Sequence, residues 1–448
     1  MFKRDIVINL QQWADKPDRK PLVLRGARQV GKTTAVAQFS ENFDRYLYFN
    51  LERTEDRRPF EEFSNIEELV QAIFFLKNEK RSGGSALLFI DEIQEVPEVL
   101  SLLRYFYEDV PELHVIAAGS LLETLFDKDI TFPVGRVEYL VMRPVSFPEF
   151  LNALGEEQAL EQLLTVPIAD FAHEKLLRLF HTYALIGGMP EAVEHYIANK
   201  DLTALTSIYE SLIVAYTDDV EKYARNTTMV QVIRHAIRSS FIEAGSRIKF
   251  HGFGKSNYGS REMGEALRTL EKAMVLNLVY PTTAVTPPMQ PDLKKSPRLQ
   301  FLDTGLVNHF SGLQAEILGT ADLNDAAQGR IVEHVVGQEL LSSEHNALHQ
   351  LNFWIREKKD ATAELDYLIQ FNNKLVPLEV KSGASGRLRS LHQFMDRAPH
   401  DIALRLHAGT FKMDTVKTIA GKEFRLVSLP YYCGSQISAY LKSDLLFS

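Results

Sequence analysis

Eight consecutive residues constrain this chain more than any others: Gly26-Ala27-Arg28-Gln29-Val30-Gly31-Lys32-Thr33 fits G-x-x-x-x-G-K-[ST]. The flanks agree with the match. Pro21-Leu22-Val23-Leu24 is a short apolar run of the kind that makes a buried parallel strand, and Thr34-Ala35-Val36-Ala37-Gln38-Phe39 continues as a helix. A strand, a glycine-rich loop and a helix in that order make a phosphate cradle. Gly26 and Gly31 let the backbone curl, so that successive N–H groups and the helix N-terminus face an anion. Lys32 is then expected at the β- and γ-phosphates and Thr33 at Mg2+. The ATP-contacting set is Gly26, Ala27, Arg28, Gln29, Val30, Gly31, Lys32, Thr33 and Thr34.

A second signal follows at a fitting distance. Ala86-Leu87-Leu88-Phe89-Ile90 is apolar and ends in Asp91-Glu92. At the C-terminal tip of a strand beside the P-loop strand, Asp91 can hold Mg2+ and Glu92 can act as the base that polarises the attacking water. A third run, Leu113-His114-Val115-Ile116-Ala117-Ala118-Gly119-Ser120, ends in a hydroxyl. Ser120 is expected to read the γ-phosphate, or else to cap the helix that begins at Leu121.

Bulk properties set limits on the rest. A chain of 448 residues is too long for one core. With 45% hydrophobic and 24% charged residues it has the composition of a soluble globular protein. The start lacks an apolar targeting segment, and no run approaches the ~18 apolar residues a membrane span needs. A cytoplasmic protein without membrane contact is the expectation. The single cysteine, Cys433, excludes an intrachain disulfide framework and reads as an apolar filler. A net charge of −9 argues against nonspecific coating of nucleic acid, though not against a local basic face.

Four domains are expected. Residues 1–155 alternate strand-like and helix-like segments, with strands at 22–25, 46–51, 87–91, 114–119 and 137–142, as in a P-loop NTPase parallel sheet. Residues 156–225 are rich in Leu, Ala and Glu at helical spacing, broken at Gly187-Gly188-Met189-Pro190, and read as a helical lid. Residues 226–310 run helix, glycine-rich link, helix, strand, the order of a winged helix. Positions 241–300 hold nine basic and five acidic residues, a net of +4, including Arg247, Lys249, Lys255, Arg261 and Arg268. DNA contact and an ordinary solvated face are both open for this stretch.

In residues 311–448, Glu364-Leu365-Asp366-Tyr367-Leu368-Ile369 and Val376-Pro377-Leu378-Glu379-Val380-Lys381 read as strands joined by a turn at Asn372-Asn373. Alternation puts Glu364 and Asp366 on one face and Glu379 and Lys381 on one face, so a hairpin can aim Asp366, Glu379 and Lys381 at one spot. Two carboxylates on a metal with a lysine beside them suit metal-dependent phosphodiester cleavage. A helix over 330–341 adds Glu333 as a further acid, and one over 388–395 adds Gln393. His334 has no second ligand at metal spacing and reads as a hydrogen-bonded helix residue.

The order helix with an acid, strand, strand with Asp366, strand with Glu379-Val380-Lys381, then helix resembles the PD-(D/E)XK restriction-endonuclease-like fold over residues 325–430. The whole chain is similar to prokaryotic AAA-type P-loop ATPases that carry a C-terminal domain of unknown function. The resemblance rests on the loop, on Phe89-Ile90-Asp91-Glu92-Ile93-Gln94, Arg143-Pro144-Val145-Ser146-Phe147-Pro148-Glu149-Phe150, Gly187-Gly188-Met189-Pro190-Glu191, Phe301-Leu302-Asp303-Thr304-Gly305-Leu306 and Leu378-Glu379-Val380-Lys381. It implies an α/β multidomain protein that hydrolyses ATP with Mg2+. It places Arg136 as a γ-phosphate arginine, with Arg143 as its rival and a structural ion pair as the alternative for either. Three roles stay open: nucleotide-gated control of a DNA-binding or nuclease-like module, a switch acting on a protein partner with a silent C-terminal domain, and a ring motor that requires a homo-oligomer.

Overall fold

The apolar runs of the first 143 residues form a five-stranded sheet: β1 (Leu22–Arg25), β2 (Arg45–Asn50), β3 (Ala86–Asp91), β4 (His114–Gly119) and β5 (Glu138–Val141). The computed structural model describes residues 2–63, 65–119, 135–219, 224–314, 329–358, 361–381 and 388–446. Strand order is β2-β3-β4-β1-β5 and every neighbouring pair is parallel. All six residues of β3 are buried, as an inner strand with helices on both faces requires. Around the sheet run α1 (Ile6–Ala14), α2 (Lys32–Ser40), α3 (Thr54–Glu62), α4 (Ile66–Leu76) and α5 (Val99–Asp109). Alternate strand residues Val23, Leu47, Phe49, Leu88, Ile90, Val115 and Ala117 form one core with Leu69 and Ile73 of α4 and Leu103 and Phe106 of α5. One expectation is corrected here. β3 is not the neighbour of the P-loop strand, because β4 lies between them.

The chain divides into two compact units, residues 1–143 with 272–275 and 344–349, and residues 144–271 with 276–343 and 350–448. In the second unit, α6 (Phe147–Leu154), α7 (Glu157–Leu164), α8 (His173–Ile186), α9 (Pro190–Asn199) and α10 (Leu205–Asp218) fill the expected helical stretch. The break falls at Gly187, whose φ of +75° ends α8, and Pro190 opens α9. Next come α11 (Thr227–Glu243), α12 (Ser260–Lys272), β6 (Leu276–Thr282) and β7 (Arg298–Phe301). Helix, link, helix and antiparallel ribbon appear in the expected order. The ribbon does not end there. β6 also pairs in parallel with β8 (Asn352–Lys358), which pairs with β9 (Ala361–Leu365), giving the sheet β7-β6-β8-β9. Residues from the expected middle and C-terminal domains thus share one sheet.

After α13 (Thr304–Ser311) and α14 (Arg330–Ser342), β10 (Tyr367–Phe371), β11 (Lys374–Val380), α15 (Arg389–Met395), β12 (Ile402–His407), β13 (Lys412–Lys417), β14 (Glu423–Pro430) and α16 (Ile437–Lys442) complete the unit. The sheet order is β10-β11-β12-β14-β13, with β10–β11 and β13–β14 antiparallel and the inner pairs parallel. Asn372 and Asn373 both have positive φ, as a two-residue hairpin turn demands. The strand expected over 364–369 is instead two strands broken at Asp366. Glu364 pairs in the β8–β9 ladder and Tyr367 in the β10–β11 ladder, so Glu364 and Asp366 do not share a strand face.

Several of the resemblance phrases meet in one buried polar network. Asp303 accepts from the Gly188 N–H at 2.5 Å and from Leu306 N–H at 3.1 Å, capping α13. Glu339 accepts from Phe147 N–H at 3.0 Å and from the Tyr183 hydroxyl at 2.7 Å. His334 is equally structural: its Nε2 accepts from Phe301 N–H, and burial pulls its pKa down to about 4. Among the described residues no helix is long and apolar enough to cross a membrane.

Candidate functional site

The glycine-rich loop connects β1 to α2 at the carboxyl edge of the parallel sheet, where open α/β sheets place their ligands. A Cβ on Gly26 would stand 2.6 Å from the Met142 carbonyl oxygen, so only glycine fits beside the exit of β5. Gly31 has φ +94° and is the N-cap of α2, which no side chain caps. Among the described residues no side chain accepts from its first-turn N–H groups, the condition for an anion nest. Ala27 and Val30 are buried and anchor the loop, while Thr33 and Thr34 lie exposed. Arg28 pairs with Glu52 at 3.2 Å, and Gln29 adopts φ +63°. Lys32 is buried, and its Nζ donates to the Gly26 and Ala27 carbonyls, each at 2.9 Å. Burial pulls this ammonium below its ordinary value, opposed by Glu92 and Asp91.

Although β4 intervenes, Asp91 reaches the loop because Thr33 projects from α2. Thr33 Oγ1 donates to Asp91 Oδ2 at 2.6 Å. A hydroxyl and a carboxylate in contact beside the phosphate nest are the donor set of a P-loop Mg2+ site, so the residues fit that ion. Burial raises the Asp91 carboxyl. Glu92 follows in the left-handed region, φ +53°, which turns its side chain off the strand line. Burial raises its pKa also, and the side-chain amide of Gln94 donates to it. Gln94 was not singled out from sequence as a site residue, because nothing in its spacing marks it. Ser120 lies outside the described residues.

The two arginines part company. Arg136 is exposed, its Nε donating to Glu108 Oε1 at 2.8 Å and its guanidinium over the Tyr107 ring. Arg143 is 8% exposed and leaves β5 beside Gly26.

In the second unit the structure brings Glu333, Asp366, Glu379 and Lys381 into one electrostatic cluster. Asp366 Oδ2 accepts from Val380 N–H at 2.8 Å, and Lys381 Nζ pairs with Glu379 Oε1 at 2.8 Å. Glu379 Oε2 is buried without a hydrogen-bond partner. Burial, then Asp366, pushes the Glu379 carboxyl up to about 8, and the same two causes push Glu333 up to about 7. A residue that sequence reasoning counted only as a basic residue sits at the centre. Arg298 of β7 donates to Glu364 Oε1 at 2.6 Å and to the Asp366 carbonyl at 3.2 Å, and it stands 3.7 Å from Asp366 Oδ1 and 3.8 Å from Glu333 Oε2. Against the effect of its burial, Asp366 and Glu333 raise its pKa. Among the described residues no three His, Cys, Asp or Glu side chains are grouped to hold a metal ion. Glu333, expected as a metal ligand, stands 3.8 Å from Arg298. Gln393 accepts from Arg356 at 2.8 Å. β12 sets Arg405 directly beside Glu379, a neighbour that no sequence spacing announces.

Residues 18–151 match the family model described as an AAA domain, and residues 177–317 and 328–432 match two described as domains of unknown function, DUF8612 and DUF4143. No curated protein matches the chain. Solved structures similar to it include the Walker-type ATPase PABY2304 of Pyrococcus abyssi, 14% identical over 69% of this chain and 96% of that one with a TM-score of 0.44. The Aeropyrum pernix ORC1 protein in complex with DNA is 12% identical over 68% and 91%, TM-score 0.28. Drosophila ORC bound to DNA is 16% identical over 58% and 65%, TM-score 0.26. The AAA match coincides with the parallel sheet and its loop: the first unit carries an AAA-type P-loop ATPase domain.

Proposed function

We propose that this protein hydrolyses ATP with Mg2+ and that nucleotide state controls a C-terminal nucleic-acid-directed module. The observation that carries the first part is the meeting of Thr33 and Asp91 at 2.6 Å beside an uncapped helix N-terminus with a buried lysine. Thr33 and Asp91 would hold Mg2+, which supplies neutralisation of phosphate charge when bound. Water attacks the γ-phosphorus in line, Glu92 takes its proton, and the bond to the β–γ bridging oxygen breaks to release ADP and phosphate. A carboxyl raised by burial is suited to that proton. Lys32 leaves the Gly26 and Ala27 carbonyls to meet the phosphates. The chain would act in the cytoplasm, with residues 156–225 as lid.

For the second unit, the Asp366, Glu379 and Lys381 cluster supports a metal-dependent, PD-(D/E)XK-like nuclease, and the exposed Arg261 and Lys255 of the winged-helix-like segment support a DNA partner. A rival reading, a switch that acts on a protein partner with a silent C-terminal domain, draws on Arg298, which already neutralises Glu364 and faces Asp366 and Glu333. One experiment separates them. Phosphate release is measured for wild type, Lys32→Ala and Glu92→Gln, and cleavage of linear, supercoiled and branched DNA for wild type and Asp366→Ala with Mg2+ or Mn2+, with and without ATP. Turnover lost in both loop variants and cleavage lost in Asp366→Ala support the whole reading. Turnover without cleavage of any substrate leaves the switch. No turnover in the wild type sinks the ATPase proposal.

A further inference from the structure

The chain leaves β3 through a turn that a non-glycine residue adopts only at a cost. Glu92 has φ +53°, in the left-handed region, and its carbonyl accepts from Glu95 N–H at 3.0 Å to close a single 3-10 turn over Ile93–Glu95. Ile93 anchors that turn, its side chain fully buried in the core that α4 and α5 share with the sheet. Glu92 and Gln94 flank this anchor and are both half-buried. Their side chains meet: the Gln94 amide donates from Nε2 to Glu92 Oε2.

Two features give this bond its weight. The first is that Glu92 has little else to hold it. Asp91 is fixed from two sides, by the Thr33 hydroxyl at 2.6 Å and by the Glu92 N–H at 3.0 Å. Among the described residues the Glu92 carboxylate has Gln94 as its sole hydrogen-bond donor, while Asp91 and Glu52 bear on it with like charge and Lys32 with opposite charge. The second is the other end of the amide. Gln94 Oε1 is buried without a hydrogen-bond partner among the described residues, and an unpartnered buried carbonyl costs free energy. Turning the amide over would set Oε1 against Glu92 Oε2, acceptor to acceptor. The amide is therefore oriented by the carboxylate it serves, at the expense of its own oxygen.

We propose that Gln94 is a positioning residue for ATP hydrolysis, its amide holding the Glu92 carboxylate in place to take the proton of the attacking water. This rests on the reading of Glu92 as the base of an ATP site. Gln94 acts only through Glu92 and contacts neither the phosphates nor Mg2+. A base out of place slows proton transfer and leaves the affinity for nucleotide unchanged, so the residue contributes to kcat and not to KM.

The test uses the full-length protein as wild type, Gln94→Met, Gln94→Glu, Glu92→Gln and the Glu92→Gln, Gln94→Met double variant, with Arg58→Ala, an exposed residue paired with Glu62, as control. Phosphate release gives kcat and KM, displacement of a fluorescent ATP analogue by ATP gives affinity, and thermal unfolding without ligand gives stability. Gln94→Met keeps the length of the side chain and removes the donor. It is expected to lose about 10–100-fold in kcat, the worth of one hydrogen bond to an ionised group, with KM, affinity and unfolding temperature close to wild type. Gln94→Glu keeps the shape and turns the donor into an acceptor, so it loses at least as much. Glu92→Gln loses about 100–10,000-fold, and the double variant is no slower than Glu92→Gln, because Gln94 has no other route to the reaction. Arg58→Ala stays within about twofold of wild type, as a lone surface pair should. A kcat near wild type in both Gln94 variants, alongside lost turnover in Glu92→Gln, overturns the assignment while leaving the ATPase reading intact. So does a loss of affinity in step with kcat, which marks a nucleotide contact, or a double variant slower than Glu92→Gln, which marks an independent role. Clear destabilisation of both Gln94 variants marks a structural residue of the turn and also overturns it. If the wild type does not hydrolyse ATP, or Glu92→Gln matches it, the reading of Glu92 fails, and this inference with it.

Discussion

Replacing Arg298 with methionine tests the electrostatic account of the carboxylate cluster. The guanidinium, its side chain 8% exposed, faces Glu364 at 2.6 Å, Asp366 at 3.7 Å and Glu333 at 3.8 Å. Glu364 is 31% exposed and keeps Arg247 at 3.3 Å, so it loses little. Asp366, 9% exposed, keeps the Val380 N–H and the more distant charge of Lys381, and Glu333 loses the stronger of the two cations that act on it. Removing one partner of a buried ionic group costs roughly 3–5 kcal/mol, and the partial exposure of Glu333 places the expectation near the lower end, about 3 kcal/mol at pH 8. The pH dependence has a definite sign. Glu333 already stands at about 7, above the ordinary 4.5, and without Arg298 it rises further. A carboxyl whose folded pKa exceeds its unfolded value withdraws stability as pH climbs through the folded value. The deficit should therefore shrink from pH 8 to pH 6, by about 1.4 kcal/mol per additional unit of rise. The chain has two tryptophans, and Trp354 is fully buried in the second unit, so a Trp13→Phe background gives a single reporter for urea unfolding. A deficit below about 1 kcal/mol at pH 8, or one equal at both pH values, would refute the reasoning, because a cation that balances buried carboxylates cannot be removed so cheaply.

Two further outcomes follow from buried groups. Glu339 is pushed by burial up to about 8, so it is mostly protonated at pH 7. Glu339→Gln should unfold within about 1 kcal/mol of wild type at pH 7 and be the more stable of the two at pH 9, where only the wild type must ionise a buried carboxyl; urea midpoints at the two pH values check this, and a variant equally deficient at both would contradict it. Gly26→Ala puts a Cβ 2.6 Å from the Met142 carbonyl oxygen. It should cost about 1–3 kcal/mol by overpacking and displace the loop enough to lower ATP affinity at least tenfold; affinity within twofold of wild type by titration would show that the loop tolerates the shift.

The first unit was legible because its signals are local. Loop, helix and strand ends are read from contiguous residues, and apolar runs such as Leu87–Ile90 can be buried on both faces only in a covered sheet. The hairpin at Asn372-Asn373 was legible for the same reason, since a two-residue turn with positive φ demands such residues. Alternation failed at Asp366 because a strand that changes ladders carries no mark in its own composition.

By itself the sequence determined the phosphate loop, the acids Asp91 and Glu92, and the chemistry-bearing residues of the C-terminal hairpin. Only the tertiary structure decided which charges find partners. It placed β4 between the two motif strands, gave Arg136 to Glu108 and left Arg143 without a counter-ion. It also brought Arg298 from one end of a ribbon to carboxylates that lie 35 to 68 positions further along the chain. Charge is a property of a residue, but its neutralisation depends on distances of a few ångströms between residues that only the packed fold brings together.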